Sequence, residues 1–313
     1  MREFPSRWSF LGLRTNPTHS ILIEIAKQTK IAPCQPREAS NLNRIHRYDG
    51  NIIGGLLLGS GMALTGACPG TILVQVASGI HSGLPVLAGG IIGGILWSRF
   101  GHCAKCTPST RPTTIEGSLD VNKKHTATVY ESSKMSSTKA VFFYEILCLS
   151  SILTASYLLP EGHGSQRLNP IVGGLLIGGA QAASLILTRA PLGVSTAYER
   201  MGQYACRLLG LSPQKASSWP SPNPIIFALG VLMGAWCLSN FVSANTHLES
   251  TPISLTRAMV GGAALVVGAR TAGGCTSGHG ISGMSTLSKA SFVTVGAMFA
   301  GGIGLSSSLR LLN

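Results

Sequence analysis

Apolar positions in this chain neither alternate nor recur on a single face; they run together in long blocks separated by short polar segments. Gly50 to Ser98 contains no Asp, Glu, Lys or Arg, and charge-free runs recur at Leu168 to Thr188, Ala216 to Leu248, Ala258 to Ala269, Thr271 to Ser288 and Ala290 to Leu309. Val141 to Leu159 carries only Glu145, placed near a helix end. Crossing the bilayer core takes about 20 mostly apolar residues, so these blocks predict membrane helices. Two fall within Gly50 to Phe100 and meet near His81 to Pro85. Others cover Ala140 to Leu159, Pro170 to Thr188 and Pro224 to Val242. Ser254 to Leu309 holds an interrupted first part and a plainer helix near its end. Buried helices of a large soluble protein would need amphipathic helices to cover them, and almost none are visible.

The predicted fold class is therefore an all-α integral membrane protein, multi-pass, with the plasma membrane as its expected location. Residues 1–49 form a polar N-terminal segment and residues 50–100 a first membrane unit. Residues 101–139 form a basic, mobile loop low in apolar residues, and residues 140–313 contain the remaining membrane helices. From Arg189 to Pro224 a basic stretch rich in Ser and Pro reads as a loop.

Composition sharpens this picture. Apolar residues make up 45% of the 313 and charged residues 11%, against roughly 25% charged in ordinary soluble chains. The formal net charge of +13 does not point to nucleic acid, because Lys and Arg sit in loops without interleaved aromatics or a nucleic-acid motif. They read as orientation signals. Eight lie before Asp49, six between Gly101 and Lys139 and four between Arg189 and Lys215, while Phe241 to Pro252 has Glu249 and no base. The positive-inside rule places the three basic segments in the cytoplasm. Cys68, Cys148, Cys237 and Cys275 lie inside apolar runs, so the eight cysteines read as thiols rather than a disulfide framework.

Glycine is abundant, 39 residues, and pairs four apart, such as Gly55 and Gly59, Gly89 and Gly93, Gly90 and Gly94, predict close helix packing in lipid. Its placement also marks a repeat. GGLLLGSGMALTGACPG from Gly54 resembles GGAALVVGARTAGGCTSG from Gly261, with the cysteine thirteen residues after the second glycine in each, Gly55 to Cys68 and Gly262 to Cys275. A third copy from Gly173 keeps the opening and has Leu187 at the cysteine position. Charge places the first copy's start in the cytoplasm and the last copy's start outside. The expected architecture is thus an inverted-repeat bundle, the second cysteine copy occupying 254–289, with interrupted segments meeting near the midplane.

Each cysteine sits among helix breakers. Pro69 removes a backbone donor and Gly70 tolerates unusual dihedrals before Thr71, and Gly273 to Gly280 is equally poor helix material. Irregular backbone at membrane depth requires protein or a water-filled cavity around it, and its free amides suit an anion. Pro69, Gly70, Thr71, Gly274, Thr276, Ser277, Gly278 and His279 are accordingly candidates for substrate binding beside the path cysteines Cys68 and Cys275. Arg270 either attracts the anion or marks the membrane edge. Cys148, Cys206 and Cys237 read as small apolar fillers. Cys103 and Cys106, preceded by His102, lack the second half of a zinc site and read as a solvated thiol pair.

ALTGACPGT around Cys68 and GARTAGGCTSGHGISG around Cys275 resemble the YeeE/YedE family of sulfur transporters, from about Tyr48 to the C terminus. The resemblance implies membrane helices with re-entrant segments and uptake of thiosulfate or a related sulfur anion. It further implies thiol contacts from Cys68 and Cys275 to the anion's terminal sulfur, and a cytoplasmic sulfur-carrier protein as partner. No cofactor and no catalytic residue are expected. The family's usual first membrane helix can carry another path cysteine. Here only Cys34, in a polar context, is on offer, so that element is expected to be missing. Two other classes fit the residues: a membrane sulfurtransferase with a persulfide cysteine, and a degenerate member that does not transport. No phosphate-binding loop is visible, which argues against direct ATP drive.

Overall fold

A computed structural model describes residues 36–42, 46–104, 128–133, 135–158, 170–188, 193–210, 219–242 and 253–311. Among them the chain is helical, with one isolated bridge between Thr128 and Ser288. The helices are α1 (Asp49–Thr65), α2 (Pro69–Ala77), α3 (Gly83–Ala104), α4 (Val129–Ser132), α5 (Ser137–Leu158), α6 (Pro170–Thr188), α7 (Ser195–Leu208), α8 (Asn223–Val242), α9 (Leu255–Ala272) and α10 (Lys289–Leu311). A π-helical turn, Ser277–Gly283, lies between α9 and α10. Asp49–Ala77, Asn223–Phe241 and Lys289–Leu311 are each long and apolar enough to cross a membrane, and α9 with the π turn, bent by 43°, makes a fourth candidate. The large apolar side chains on the outer faces of α5, α6 and α8, among them Phe142, Leu175 and Trp236, are exposed, as lipid contact requires.

Four helices form the centre, and glycine decides how they meet. A Cβ built on Gly268 of α9 would lie 2.5 Å from the Leu58 amide nitrogen and 2.8 Å from Gly54 O, while one on Gly61 of α1 would lie 2.8 Å from Leu265 N and 2.9 Å from Gly261 O. Early α1 thus meets late α9 and late α1 meets early α9, so the two run antiparallel with backbones in contact. Gly54 corresponds to Gly261 in the repeat, and Gly61 to Gly268. Exchanging the copies maps one contact onto the other. On the other faces, Gly55 of α1 lies against Thr294 and Ala297 of α10, and Gly262 of α9 lies against Val86 and Gly90 of α3, both pairs running parallel. Small residues let these backbones approach, which in lipid is a main source of helix association.

Both long repeat helices stop alike. Gly66 (φ 65°) ends α1 and Gly273 (φ 84°) ends α9 in the left-handed region, where glycine carries no steric cost. Cys68 then caps α2 with Pro69 at its first position.

Three expectations change. The stretch from Arg189 to Pro224, expected as loop, contains α7, whose Tyr198, Gly202 and Cys206 are buried four residues apart. The expected basic loop 101–139 is shorter, because α3 extends to Ala104 and Thr128 and Val129 dock beside Leu287 and Ser288, the Val129 amide donating to Leu287 O at 2.9 Å. Glu145 sits well inside α5 and is buried rather than at a helix end. Cys34, Cys106 and Leu159 lie outside the described residues.

Candidate functional site

At the first break, the Cys68 amide donates to Thr71 Oγ1 at 2.7 Å, and that hydroxyl lies 3.4 Å from Cys68 Sγ. The thiol is half-buried. Gly70 beside it has no close packing: a Cβ there would come no nearer than 3.9 Å to Cys68 Sγ and Val194 Cγ2. Pro69 is buried, and its carbonyl accepts from the Tyr198 hydroxyl at 2.7 Å.

At the second break, Cys275 is fully enclosed (1% exposed). Ser277 Oγ lies 3.2 Å from its sulfur, and Gly278 and Ser195 are close enough to act on it electrostatically. Polar groups of the π turn and of the start of α7 therefore surround one thiol. Thr276 Oγ1 donates to Met62 Sδ at 3.6 Å, so the Cys275 turn folds back beside the last part of α1, just ahead of the Cys68 break.

The start of α7 joins the two sites. Val194 faces Gly70, Ser195 lies near Cys275 and Tyr198 holds Pro69. Tyr198 is fully buried against Gly90, Gly94 and Val266. Its depth keeps it a neutral donor, since burial pushes the phenol's pKa up.

The other candidates take different places. Arg270, in the last turn of α9, forms an ion pair with Glu199 of α7, so much of its charge is met within the protein. Both ring nitrogens of His279 are engaged, Nδ1 with Ser291 Oγ at 3.1 Å and Nε2 with Ala272 O at 3.2 Å. With a carbonyl as the partner of Nε2, that nitrogen carries the proton and Nδ1 accepts from Ser291. His279 ties the π turn to α9 and α10 and offers no free nitrogen to an anion. Gly274 leaves room for Arg37 and His279: a Cβ there would lie 2.7 Å from Arg37 Nη1 and 3.0 Å from the imidazole.

Arg37 is the residue sequence reasoning missed. Its segment, 36–42, is an extended strap held between α1 and the second break. The Ser40 amide donates to Asn51 Oδ1 at 2.7 Å and the Ser40 hydroxyl to Thr271 O at 2.6 Å, while Asn51 Nδ2 donates to Thr294 Oγ1 at 2.8 Å. The Leu42 amide is taken by Asp49 at 2.6 Å and the Arg37 carbonyl by the Ser288 hydroxyl at 2.6 Å. Arg37 Nε donates to Gly278 O at 2.7 Å and Nη1 to Gly273 O at 2.8 Å, bracketing the Cys275 turn.

A family model described as sulphur transport matches residues 16–304, beginning well before Tyr48 and including the strap. No curated protein matches the chain.

Proposed function

The chain belongs to the sulphur transport family, a family of multi-pass membrane proteins, and from that premise we propose that it carries thiosulfate or a closely related sulfur anion along a path contacted by Cys68 and Cys275. The observation that carries this reading is the junction at α7: one helix start lies against both cysteine motifs, with both thiols within electrostatic reach of Tyr198. Thr71 and Ser277 hydroxyls, with the amides of Gly278 and Ser195, supply donors suited to oxyanion or sulfur. Pro69 and Gly70 keep the first break open beside Cys68. Thiols form weak hydrogen bonds, and conduction needs contacts the ion can leave. Thr276 and Gly274 shape the turn, and Arg270 adds a charge tempered by Glu199.

Radiolabelled thiosulfate uptake into proteoliposomes tests this. Cys68→Ala and Cys275→Ala should each reduce uptake at least about tenfold, the cost of one lost preorganised contact at a rate-limiting site, while sulfate competes poorly. Folded wild-type protein that moves no thiosulfate would overturn the reading.

The donor set around Cys275 favours one alternative, a persulfide carrier, because such donors stabilise a thiolate. Its thiolate would take the outer sulfur of thiosulfate, forming a new S–S bond as the old one breaks and releasing sulfite. Sulfite appearing in step with uptake would select that reading; intact thiosulfate inside the vesicles would select transport. A cytoplasmic sulfur-carrier protein would then receive the product of either route.

A further inference from the structure

The two arginines near Cys275 differ in one respect that decides their roles. Arg270 is paired with Glu199. Among the described residues, Arg37 is bonded only to the carbonyls of Gly273 and Gly278, neutral acceptors that orient a guanidinium without cancelling its charge, and the next residue, Glu38, is exposed. Arg37 is partly buried and within electrostatic reach of both Cys275 and Arg270. His279, the remaining titratable group against the turn, is committed through both nitrogens to Ser291 and Ala272. Counting Arg270 and Glu199 as a neutral pair, the described residues around Cys275 hold one positive charge without an acidic partner, and it sits on the strap.

Enclosing a guanidinium without a counter-ion is costly, yet four separate hydrogen bonds position the strap that brings it there, from Ser40, Leu42, Asn51 and Ser288. Two of the guanidinium's nitrogens are used on the turn. The third, Nη2, has no bonded partner among the described residues and lies over Gly278, where a Cβ would come within 2.7 Å of it. The absence of a side chain at Gly278 therefore leaves room for Nη2 beside the Cys275 turn.

Resting on the transport reading above, we infer that Arg37 is an affinity-determining residue of the Cys275 site: its guanidinium supplies the charge that an entering sulfur oxyanion neutralises, through Nη2, while Nε and Nη1 keep the turn in register. The anion thereby acts as the missing counter-ion, and the strap is part of the binding site.

The test measures uptake kinetics for Arg37→Gln and Arg37→Lys in proteoliposomes, with Ser288→Ala as a strap control. Loss of a charge-assisted contact should raise KM for thiosulfate about ten- to a hundredfold in Arg37→Gln with a smaller change in maximal rate. Arg37→Lys retains the charge and should lie between. Ser288→Ala, which loosens the strap without touching charge, should lower thermal stability and raise KM less than Arg37→Gln does. A KM unchanged in Arg37→Gln, or raised equally by Ser288→Ala, overturns the inference and leaves the transport reading standing.

A second readout needs no transport. In a background where Cys275 is the sole cysteine, an anionic methanethiosulfonate should label it faster than a cationic one of similar size, and Arg37→Gln should abolish that preference. Equal preference with and without Arg37 overturns the inference on its own, whatever the uptake assay gives; absence of wild-type uptake alone would instead strike at the transport reading.

Discussion

At the scale of single residues, the central packing rests on positions where hydrogen replaces a side chain. Gly61 and Gly268 each place a virtual Cβ 2.9 Å or closer to the facing backbone, and backbone cannot swing aside as a side-chain tip can. Gly61→Ala and Gly268→Ala should therefore separate α1 from α9 and each cost about 1 to 3 kcal/mol, the range for overpacking a closed interface. Gly296 of α10 meets nothing within 4 Å, so Gly296→Ala is the matched control and should be neutral or slightly stabilising, as the intrinsic helix preference of alanine predicts. Thermal unfolding in detergent separates the three. A Gly268→Ala protein as stable as wild type would mean that the α1–α9 contact relaxes freely. Cysteine behaves by the same local logic. Cys148 and Cys206 are buried, Cys148 within the central apolar cluster, whereas Cys275 has the Ser277 hydroxyl against its sulfur.

At the scale of elements, what was readable depended on whether a segment is apolar by itself. The charge-free blocks announced α1 to α3, α5, α6, α8, α9 and α10 to within a few residues, because lipid and close packing both demand apolar, glycine-rich sequence. The two breaks announced themselves through Pro69 and the Gly273-Gly274 pair. The α7 helix did not, since Glu199, Arg200, Gln203 and Arg207 make it polar on average, and only the spacing of Tyr198, Gly202 and Cys206 betrays its buried face. The strap was still less visible: Arg37 was one of eight N-terminal cations, and nothing local says that Asn51, about four turns of helix ahead of the Cys68 break, would hold it. Both elements owe their position to tertiary contacts, and each touches a cysteine break. Tyr198 makes this testable. Tyr198→Phe keeps the ring against Gly90 and Gly94 but leaves the buried Pro69 carbonyl without its 2.7 Å donor. It should cost about 1 to 3 kcal/mol and lower thiosulfate uptake more than Cys206→Ala, which lies on the same face at the far end of α7. Equal uptake in the two variants would separate α7 from the Cys68 break.

For the whole molecule, contacts and charges give the same answer independently. Packing makes α1 parallel to α10, α3 parallel to α9, and α1 antiparallel to α9; the positive-inside rule predicts a cytoplasmic place for the basic segments before α1, after α3 and around α7. Together these predict α1 and α10 running outward, and α3 and α9 inward. The exchange of contacts between Gly54–Gly268 and Gly61–Gly261 supports an inverted repeat, in which two halves of opposite topology hold the substrate between their broken segments. The arrangement makes a definite statement about sidedness. His81, in the turn between α2 and α3, and Ser254, at the start of α9, should face outside; Ser221, ahead of α8, should face the cytoplasm. All three are exposed. Single cysteines introduced as His81→Cys, Ser254→Cys and Ser221→Cys, on a background lacking the other eight, should be labelled in intact cells by an impermeant maleimide at positions 81 and 254 and not at 221, with the pattern reversed in inside-out vesicles. Positions 81 and 254 appearing on opposite sides would contradict the inverted arrangement, because α3 and α9 then could not both run inward, and the two cysteine breaks would no longer face each other across the same layer.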